Sequence, residues 1–508
     1  MFRDLPLFAD LRDFLRYLEG AGQVVRVPAP VSVIHDTTEI HRRVLEANGP
    51  VLIFEKPVRM DGEISSIPLV VNLFGTAERV AWGLGVRPER VGELAEQLME
   101  MREPNAPGSL RDAAAKLPLA RAALAMRPKT ASSHPSARSV MTGDAIELGA
   151  LPVPICWPSE PAPLITWPLV VTRAPGQNLS GNVNMGVYRM QVLRRDRLIM
   201  RWLEHRGGAR HHAEWAAQGR DTPVAVVIGA DPATILSAVL PLPEAVSELS
   251  FSGILRGERP QLMPCVSVPL AVPACAEIVI EGTVSRHETA PEGPYGDHTG
   301  YYNSVERFPV MRVTAITMRR SPLFLSTFTG RPPDEPSRIG EVLNRLFVPF
   351  VRRQFPEVRD IWLPPDACSY RMAIVSIRKR YAGQARRLML GLWSVLPQMS
   401  YTKYLVIVDE DIDVRSWRDV VWAISTRADP SRDMVRIGDT PIDYLDFASP
   451  KAGLGGKLGI DATSKIGSET EREWGRVIES DPVVVARVDA MWSELGLERS
   501  GRAVESVR

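Results

Sequence analysis

A chain of 508 residues is longer than one hydrophobic core usually supports, so its length predicts two or three domains. Its 61 basic and 60 acidic residues nearly cancel, which argues against a nucleic-acid partner, because such proteins usually carry a basic excess. The four cysteines form no C-x-x-C pair and the N-terminus has no apolar secretory run, so we expect a reducing, cytoplasmic compartment without disulfides or a zinc ribbon.

The first 125 residues predict an N-terminal α/β domain followed by a linker. A first helix is indicated by apolar residues on one face, Leu11, Phe14, Leu15 and Leu18. A second helix is predicted over Thr37–Ala47, and buried strands over Val51–Phe54 and Leu69–Asn72. Such alternation is typical of an α/β unit. From Arg102 to Ser139 the composition changes to Ala, Pro, Arg and Ser, which predicts a helical linker and loop.

Residues 126–335 predict a central domain of mostly β structure. Short runs rich in β-branched residues recur through it, at Leu169–Thr172, Val224–Ile228, Glu277–Val284, Val310–Thr317 and Leu323–Thr327. Runs of this length and spacing are typical of a barrel or sandwich.

Residues 336–508 predict a return to the α/β pattern. Met372–Ile377 and Tyr404–Val408 are expected to be strands with helices between and after them. Asp481–Leu495 is expected to form a terminal amphipathic helix. No run of residues approaches the roughly 18 apolar positions of a membrane span.

Two carboxylates five residues apart stand out in the segment Glu292-Gly-Pro-Tyr-Gly-Asp297. Glycine and proline disfavour a helix here, so the spacing predicts a tight loop that holds both acids in place. Two nearby carboxylates in different surroundings can titrate apart, so that one carries a proton while the other stays ionised. The alternative is an ordinary turn with solvated acids.

Three upstream segments carry further polar side chains. They are Gly181-Asn-Val-Asn184-Met-Gly-Val-Tyr188-Arg189-Met-Gln191, Arg201-Trp-Leu-Glu-His205-Arg206-Gly207-Gly208 and Pro241-Leu-Pro-Glu-Ala-Val-Ser-Glu248. Taken alone, Arg189 would be an ordinary ion pair and His205 a hydrogen-bonded core histidine. The spacing of His211 and His212 predicts an exposed helix face.

Together with the acid pair, these segments resemble the UbiD family of decarboxylases, which use prenylated FMN. Further blocks share the resemblance, including Ala230–Leu236, Thr329–Pro336 and Pro441–Ser449, and it extends from about Asp4 to the Trp492 region. The resemblance implies a central split β-barrel that binds the flavin, flanked by an N-terminal α/β domain and a C-terminal α/β domain that mediates oligomerisation.

The resemblance also implies roles for individual residues. Arg189, Glu292 and Asp297 would form the catalytic network, with Asp297 as the proton donor. The flavin would contact a set of residues around the first two segments, Val187, Tyr188, Arg189, Arg201, Trp202, Leu203, Arg206 and Gly207. Asn184, His205 and Glu248 would bind Mn²⁺, with K⁺ as a possible second ion, and such a mixed oxygen and nitrogen set suits a hard divalent cation.

The function implied is decarboxylation of 3-polyprenyl-4-hydroxybenzoate to 2-polyprenylphenol in ubiquinone biosynthesis. A UbiD-type decarboxylase of another aromatic or α,β-unsaturated acid is the first alternative, and a flavin carrier without turnover is the second. The expected partners are a prenyl-FMN synthase that supplies the cofactor and further copies of the chain, as a dimer or hexamer. A polyprenyl substrate implies weak contact with the inner membrane from the cytoplasmic side.

Overall fold

The computed structural model describes residues 3–102, 117–131, 138–177, 183–204, 206–240, 242, 246–395, 397–492 and 494–495. The chain forms two compact units, Met1–Leu346 and Phe347–Arg508, and each contains both helices and strands. The mixed α/β class predicted for the chain is therefore confirmed. The division into three domains, with boundaries after residues 125 and 335, stays a prediction.

The first unit contains a four-stranded, a nine-stranded and a three-stranded sheet among its described residues. Its strands are β1 (Val24–Ser32), β2 (Val51–Val58), β3 (Leu69–Val71), β4 (Lys129–Thr130), β5 (Ser139–Thr142), β6 (Leu164–Ile165), β7 (Leu169–Arg173), β8 (Val183–Val187), β9 (Met190–Arg194), β10 (Arg197–Met200), β11 (Thr222–Ile228), β12 (Gln261–Pro264), β13 (Ala271–Pro273), β14 (Ile278–Glu292), β15 (Glu306–Met318) and β16 (Phe324–Leu325). Its helices are α1 (Leu11–Gly20), α2 (Asp36–Glu46), α3 (Ala77–Leu84), α4 (Val91–Arg102), α5 (Leu117–Ala125), α6 (Gly207–Ala217), α7 (Pro232–Ser237), α8 (Glu248–Arg256) and α9 (Glu335–Arg345).

The four-stranded sheet has the order β1-β2-β3-β16 and confirms the strands predicted near the N-terminus. Helix α1 buries all four predicted apolar residues, and the Asp10 side chain caps it by accepting a hydrogen bond from the backbone N–H of Asp13. The run predicted at 323–327 is a short strand, β16, and it does not join the central sheet. It pairs in parallel with β3, where Phe324 and Leu325 are both buried.

The nine-stranded sheet has the order β6-β9-β10-β15-β14-β11-β7-β8, with β5 on β15. Strands β8 and β9 lie near opposite ends of this order, yet only Tyr188 and Arg189 connect them. Because a residue spans at most about 3.6 Å, the sheet must curl until these two strands meet. Arg189 therefore lies where the sheet closes on itself.

A buried acid begins helix α9. The Glu335 side chain accepts a hydrogen bond from the Phe74 N–H at 2.7 Å, and its other oxygen lies 3.5 Å from His41 Nε2. Burial raises the pKa of Glu335 to about 7 and lowers the pKa of His41 to about 3. The close approach is therefore not a fully charged ion pair at neutral pH.

The second unit is built on a five-stranded sheet with the order β17-β18-β19-β21-β20. Its strands are β17 (Val358–Trp362), β18 (Met372–Ile377), β19 (Tyr404–Asp409), β20 (Met434–Pro441) and β21 (Leu454–Ala462). Its helices are α10 (Val348–Gln354), α11 (Gln384–Val395), α12 (Trp417–Arg427) and α13 (Pro482–Met491). Strands β18 and β19 confirm the two predicted in this region, and a hydrophobic core packs on each face of the sheet.

Helix α13 differs from the amphipathic helix predicted over Asp481–Leu495. It is shorter, and none of its residues is buried in the chain. The reason is visible in Val483, Val484 and Val485, because three consecutive apolar residues point about 100° apart and cannot share one face.

Candidate active site

Arg189 binds both carboxylates of the predicted acid pair. Its Nε and Nη2 atoms donate to the two Glu292 oxygens at 2.9 and 3.3 Å, and its Nη1 donates to Asp297 Oδ2 at 3.0 Å. Nη2 also donates to Asn303 Oδ1 at 2.8 Å. The guanidinium thus holds two acids and an amide in one plane, a geometry that lysine cannot provide.

The β14–β15 hairpin positions the two acids differently. Glu292 is the last residue of β14, paired with Glu306 on β15, and its side chain is fully buried. Asp297 lies in the connection that follows, where its N–H donates to the Tyr301 carbonyl at 3.1 Å. The Gln191 side chain accepts a hydrogen bond from the Gly293 N–H, which ties this connection to β9. One acid is therefore fixed by the sheet and the other by a hydrogen-bonded loop.

A second arginine shares Glu292. Arg201 follows β10, is buried, and donates from Nη1 to Glu292 Oε2 at 2.7 Å. Its guanidinium also lies over the Phe308 ring, 5.0 Å from the centroid. Because two cations face one buried carboxylate, Glu292 is strongly held and compensated.

Asp297 has a different electrostatic environment, dominated by His298. Its Oδ1 accepts hydrogen bonds from both the backbone N–H and the Nδ1 of His298, at 2.8 and 2.6 Å. Burial alone would raise the pKa of Asp297, but the hydrogen bond and charge of His298, with the charge of Arg189, hold it at about 2. In this geometry Asp297 is a carboxylate at neutral pH.

A cavity of about 520 Å³ opens beside this network, within the usual size range of ligand sites. Most of the predicted site residues line it, namely Asn184, Val187, Tyr188, Arg189, Arg201, Leu203, Arg206, Gly207 and Glu248. Arg210 and His211 line it as well, together with apolar residues of the segment after α7. The predicted flavin-contacting and metal-binding residues are thus brought to one place.

Trp202 is the described exception. Its ring is buried 5.2 Å from the ring of His212, and it does not line the cavity. A Cβ atom added at Gly208 would lie 2.5 Å from Trp202 Nε1, so this glycine allows the indole to pack behind the cavity wall.

Two helices begin at the cavity and direct their N-terminal ends toward it. Helix α6 starts at Gly207, with Arg206 as its N-cap residue, and α8 starts at Glu248. Unpaired N–H groups and the helix dipole favour an anion at such a position, and the neighbouring guanidinium groups add to this preference. The cavity is therefore suited to a phosphate-bearing ligand.

The predicted metal ligands Asn184 and Glu248 lie close to each other on β8 and α8. Glu248 Oε2 accepts a hydrogen bond from the Met185 N–H at 3.0 Å, and Ser247 Oγ donates to the Val183 carbonyl at 2.6 Å. Burial raises the pKa of Glu248. His205 lies outside the described residues. In the rest of the chain that the structure describes, no group of three His, Cys, Asp or Glu side chains is placed to bind a metal.

His211 contradicts its prediction as part of an exposed helix face. It is buried on α6, where its Nδ1 lies 3.0 Å from Thr172 Oγ1. His212 is half-buried and contacts Thr222 Oγ1 at 2.8 Å. The error arose because α6 packs its histidine face against the sheet, and adjacent polar residues give no sign of which side is covered.

Four supporting residues were missed by the sequence analysis: Glu160, Gln191, His298 and Asn303. Asn303 Oδ1 accepts from both Arg189 and the Tyr295 N–H, and Glu160 accepts from the Gly296 N–H. His298 directly follows Asp297, so adjacency was an available signal for it. Glu160 lies far upstream and had none.

Sequence comparison places family-wide profiles along most of the chain. Residues 129–332 match the 3-octaprenyl-4-hydroxybenzoate carboxy-lyase Rift-related domain of UbiD. Residues 337–462 and 15–98 match the C-terminal and N-terminal domains of the same carboxy-lyase.

The chain is also similar to solved structures of UbiD-class enzymes. The UbiD-class enzyme HmfF from Pelotomaculum thermopropionicum, in complex with FMN, is 27% identical with a TM-score of 0.77, over 94% of this chain and 98% of HmfF. An evolved dimeric form of HmfF in complex with prFMN has a TM-score of 0.75 at 27% identity, over the same shares of the two chains. The closed form of vanillic acid decarboxylase from Sedimentibacter hydroxybenzoicus is 25% identical with a TM-score of 0.79, over 96% of this chain and 99% of that enzyme.

Proposed function

The chain belongs to the UbiD family of decarboxylases, and we propose that it releases CO₂ from an aromatic acid with the help of prenylated FMN. The observation that carries the proposal is the Arg189 guanidinium, which binds Glu292 and Asp297 beside a cavity rich in anion-binding groups. Related enzymes support the cofactor and the substrate class, because HmfF is solved with FMN and with prFMN, and a vanillic acid decarboxylase shares the fold.

The donors around the cavity fit a flavin phosphate and an accompanying cation. Arg206 and the start of α6 would hold the phosphate, while the amide oxygen of Asn184 and the carboxylate of Glu248 would bind Mn²⁺. A Cβ atom added at Gly207 would lie 2.0 Å from Asn184 Oδ1, so any larger residue here would force the Asn184 amide to move. His205 remains the third proposed metal ligand, and K⁺ a possible second ion.

The protein residues would bind the acid and supply the proton. When bound, prenylated FMN supplies the electron sink that no side chain offers. Arg189 would orient the substrate carboxylate, and its contacts keep Glu292 and Asp297 in fixed positions for the reaction. After the bond to the carboxyl carbon breaks, Asp297 would protonate the ring carbon as the general acid.

We propose 3-polyprenyl-4-hydroxybenzoate as the substrate and 2-polyprenylphenol as the product, a step of ubiquinone biosynthesis. The chain's motifs support this substrate, and so does an apolar surface after the acid pair, where Tyr301 is 65% exposed and Val305 55%. The described helices include none with the length and apolarity needed to cross a bilayer. We therefore propose weak, reversible contact with the inner membrane. Another aromatic or α,β-unsaturated acid remains the alternative substrate.

We also propose that the chain forms homo-oligomers and receives its cofactor from a prenyl-FMN synthase. Exposed valines on α13 support self-association, because a helix without a buried face in its own chain can gain one from a second copy.

The test is co-production of the chain with a prenyl-FMN synthase, followed by mass spectrometry of the bound cofactor. CO₂ release is then measured with 3-polyprenyl-4-hydroxybenzoate, 4-hydroxybenzoate and an α,β-unsaturated acid. Turnover of the first acid supports the full proposal, and turnover of the others alone supports the alternative. Retention of the cofactor without CO₂ release from any acid would instead favour the carrier.

A further inference from the structure

We propose that His298 is a positioning residue that stores the proton which Asp297 delivers to the substrate. The inference rests on the proposed decarboxylase function and names the source of its proton. In this view the acid of the reaction is a pair, in which His298 protonates Asp297 and Asp297 protonates the substrate.

The two oxygens of Asp297 have separate partners. Oδ2 accepts from Arg189 Nη1 at 3.0 Å, whereas Oδ1 accepts from His298 Nδ1 at 2.6 Å and from the His298 N–H at 2.8 Å. The loop keeps this arrangement, since the N–H groups of Asp297 and Gly300 donate to the carbonyls of Tyr301 and Asp297. The short contact to an imidazole nitrogen is the distance over which a proton passes directly.

Asp297 is poorly suited to store the proton itself. Its pKa is held at about 2, so at neutral pH a proton on Asp297 is rare. Histidine is the side chain that ordinarily exchanges protons near neutrality. The His298 side chain is 21% exposed and that of Asp297 14%, while the Nε2 atom of His298 is itself buried, so a proton from solvent reaches this nitrogen only if the ring shifts.

The proton balance of one turnover closes without another reagent. The bond between the ring carbon and the carboxylate breaks, CO₂ leaves, and the ring carbon takes a proton from Asp297. Asp297 recovers its proton from His298 Nδ1, and His298 takes one from water. The net change is one carboxylate and one proton converted to one C–H bond and one CO₂.

Other charged groups surround the pair and set the background of any pH dependence. Arg189, on the β8–β9 connection, forms ion pairs with both Asp297 and Glu292, and Glu292 is the last residue of β14. From the start of α9, Asp334 is the carboxyl group that also senses the charge of His298, although burial dominates and raises its pKa. Variants of His298 must therefore be compared over a pH series rather than at one pH.

The first experiment separates a proton store from a merely structural contact. In His298→Asn the amide can donate from nearly the position of Nδ1 but cannot release a proton, and in His298→Phe both properties are lost. We expect kcat of both variants to fall about 100-fold, in the range of a lost acid–base group, with KM changed less than threefold. In the parent we expect kcat to fall at high pH, where His298 can no longer supply a proton. In both variants this fall should be absent. Recovery of the parental kcat and pH profile in His298→Asn would overturn the proposal.

The second experiment needs no cofactor and no turnover. Infrared difference spectra of the parent and of His298→Phe, each against its Asp297→Asn counterpart, report protonation of the Asp297 carboxyl from pH 2 to 7. In the parent we expect Asp297 to remain ionised down to about pH 2, and in His298→Phe to take up its proton at a higher pH. Identical titrations would overturn the contact on which the proposal depends.

The two experiments also separate this inference from the proposed function. A parent that releases no CO₂ from any acid contradicts the decarboxylase, whereas the infrared result still decides whether His298 controls Asp297. Normal CO₂ release in the parent with no effect of either His298 variant contradicts the inference alone.

Discussion

Arg189 links the positions of Glu292 and Asp297, because its one guanidinium donates hydrogen bonds to both. A side chain that is 14% exposed and holds one fully buried carboxylate cannot move toward Asp297 without releasing Glu292. Arg201 lessens this conflict by binding Glu292 independently at 2.7 Å. Glu292 is therefore the more firmly held member of the pair, since two arginines bind it, whereas Arg189 alone of the two binds Asp297.

We expect Asp297→Asn to lower kcat by at least about 100-fold, because the amide cannot donate the proton of a general acid. Folding and flavin retention should remain, since the side chain keeps its shape. CO₂ release and flavin absorbance of the purified protein measure the two effects. Asp297→Glu is the matched control and should retain most activity, and a loss below about tenfold in Asp297→Asn would rule out the proposed role.

We expect Gly207→Ala to weaken FMN and Mn²⁺ binding at least tenfold, because the new Cβ would lie 2.0 Å from Asn184 Oδ1 and displace that amide. Gly92→Ala near the start of α4 is the control, since nothing lies within 4 Å of its new Cβ. Titration of the cofactor-free protein with FMN and Mn²⁺ gives both dissociation constants. Equal affinity in Gly207→Ala and the parent would argue against a ligand at this helix start.

The grouping of the site residues was predictable from the resemblance to the UbiD family and not from local spacing. Arg189, Glu292 and Asp297 lie together as the resemblance implied, whereas the residues alone also allowed an ordinary turn and an ordinary ion pair. Asn303 and Glu160 support the same loop through single hydrogen bonds across the fold. Such contacts depend on tertiary packing, and the residues around them show no periodicity that would reveal it.

At the scale of elements, Glu335 at the start of α9 makes the stability of the folded chain depend on pH. The pKa of Glu335 is about 7 in the folded chain and about 4.3 in an unfolded one, so folding favours its protonated form. The stability from this preference is fully present below about pH 4 and is lost as the pH rises through 7.

We therefore expect Glu335→Gln to unfold at a higher temperature than the parent at pH 8, and at nearly the same temperature at pH 5. The amide stays neutral and can still accept the hydrogen bond from Phe74. Thermal unfolding followed by circular dichroism over this pH range measures the difference. Glu341→Gln, on the same helix, is the control, and a gain that does not change with pH would contradict the argument.

Elements were predictable where burial follows a simple period. Helix α1 and strands β18 and β19 bury the residues that their patterns indicate. The pairing of strand β16 with β3 could not be predicted, because a two-residue strand carries too little pattern to specify its partner. The prediction of an amphipathic helix at α13 was wrong for the opposite reason, since its apolar residues are so dense that they indicate no single face.

At the scale of the whole molecule, charge limits how the protein can approach a membrane. A net charge of +1 offers little attraction to anionic lipids, so any association must come from apolar contacts. Each buried CH₂ contributes about 0.8 kcal/mol, which makes a long substrate tail the stronger source of affinity.

We expect liposome flotation to recover the protein weakly alone and more strongly with polyprenylated substrate, with little effect of salt. Tyr301→Ser combined with Val305→Ser should reduce the substrate-dependent part, and the exposed Met60→Ser is the control. Full-rate turnover of short-chain analogues, without liposome binding under any condition, would count against both the membrane contact and the polyprenyl substrate.

The two-residue connection between β8 and β9 has a consequence for engineering this enzyme. A tether of this length has no slack, so a change that shifts the cavity wall on β8 must also shift the guanidinium of Arg189. Substrate range cannot be tuned independently of reactivity by altering this connection, and insertions at Tyr188 should abolish both. In the connection of residues 293–305, hydrogen bonds fix the part up to Asn303, so libraries aimed at new acids are better placed at its exposed end, beyond Asn303.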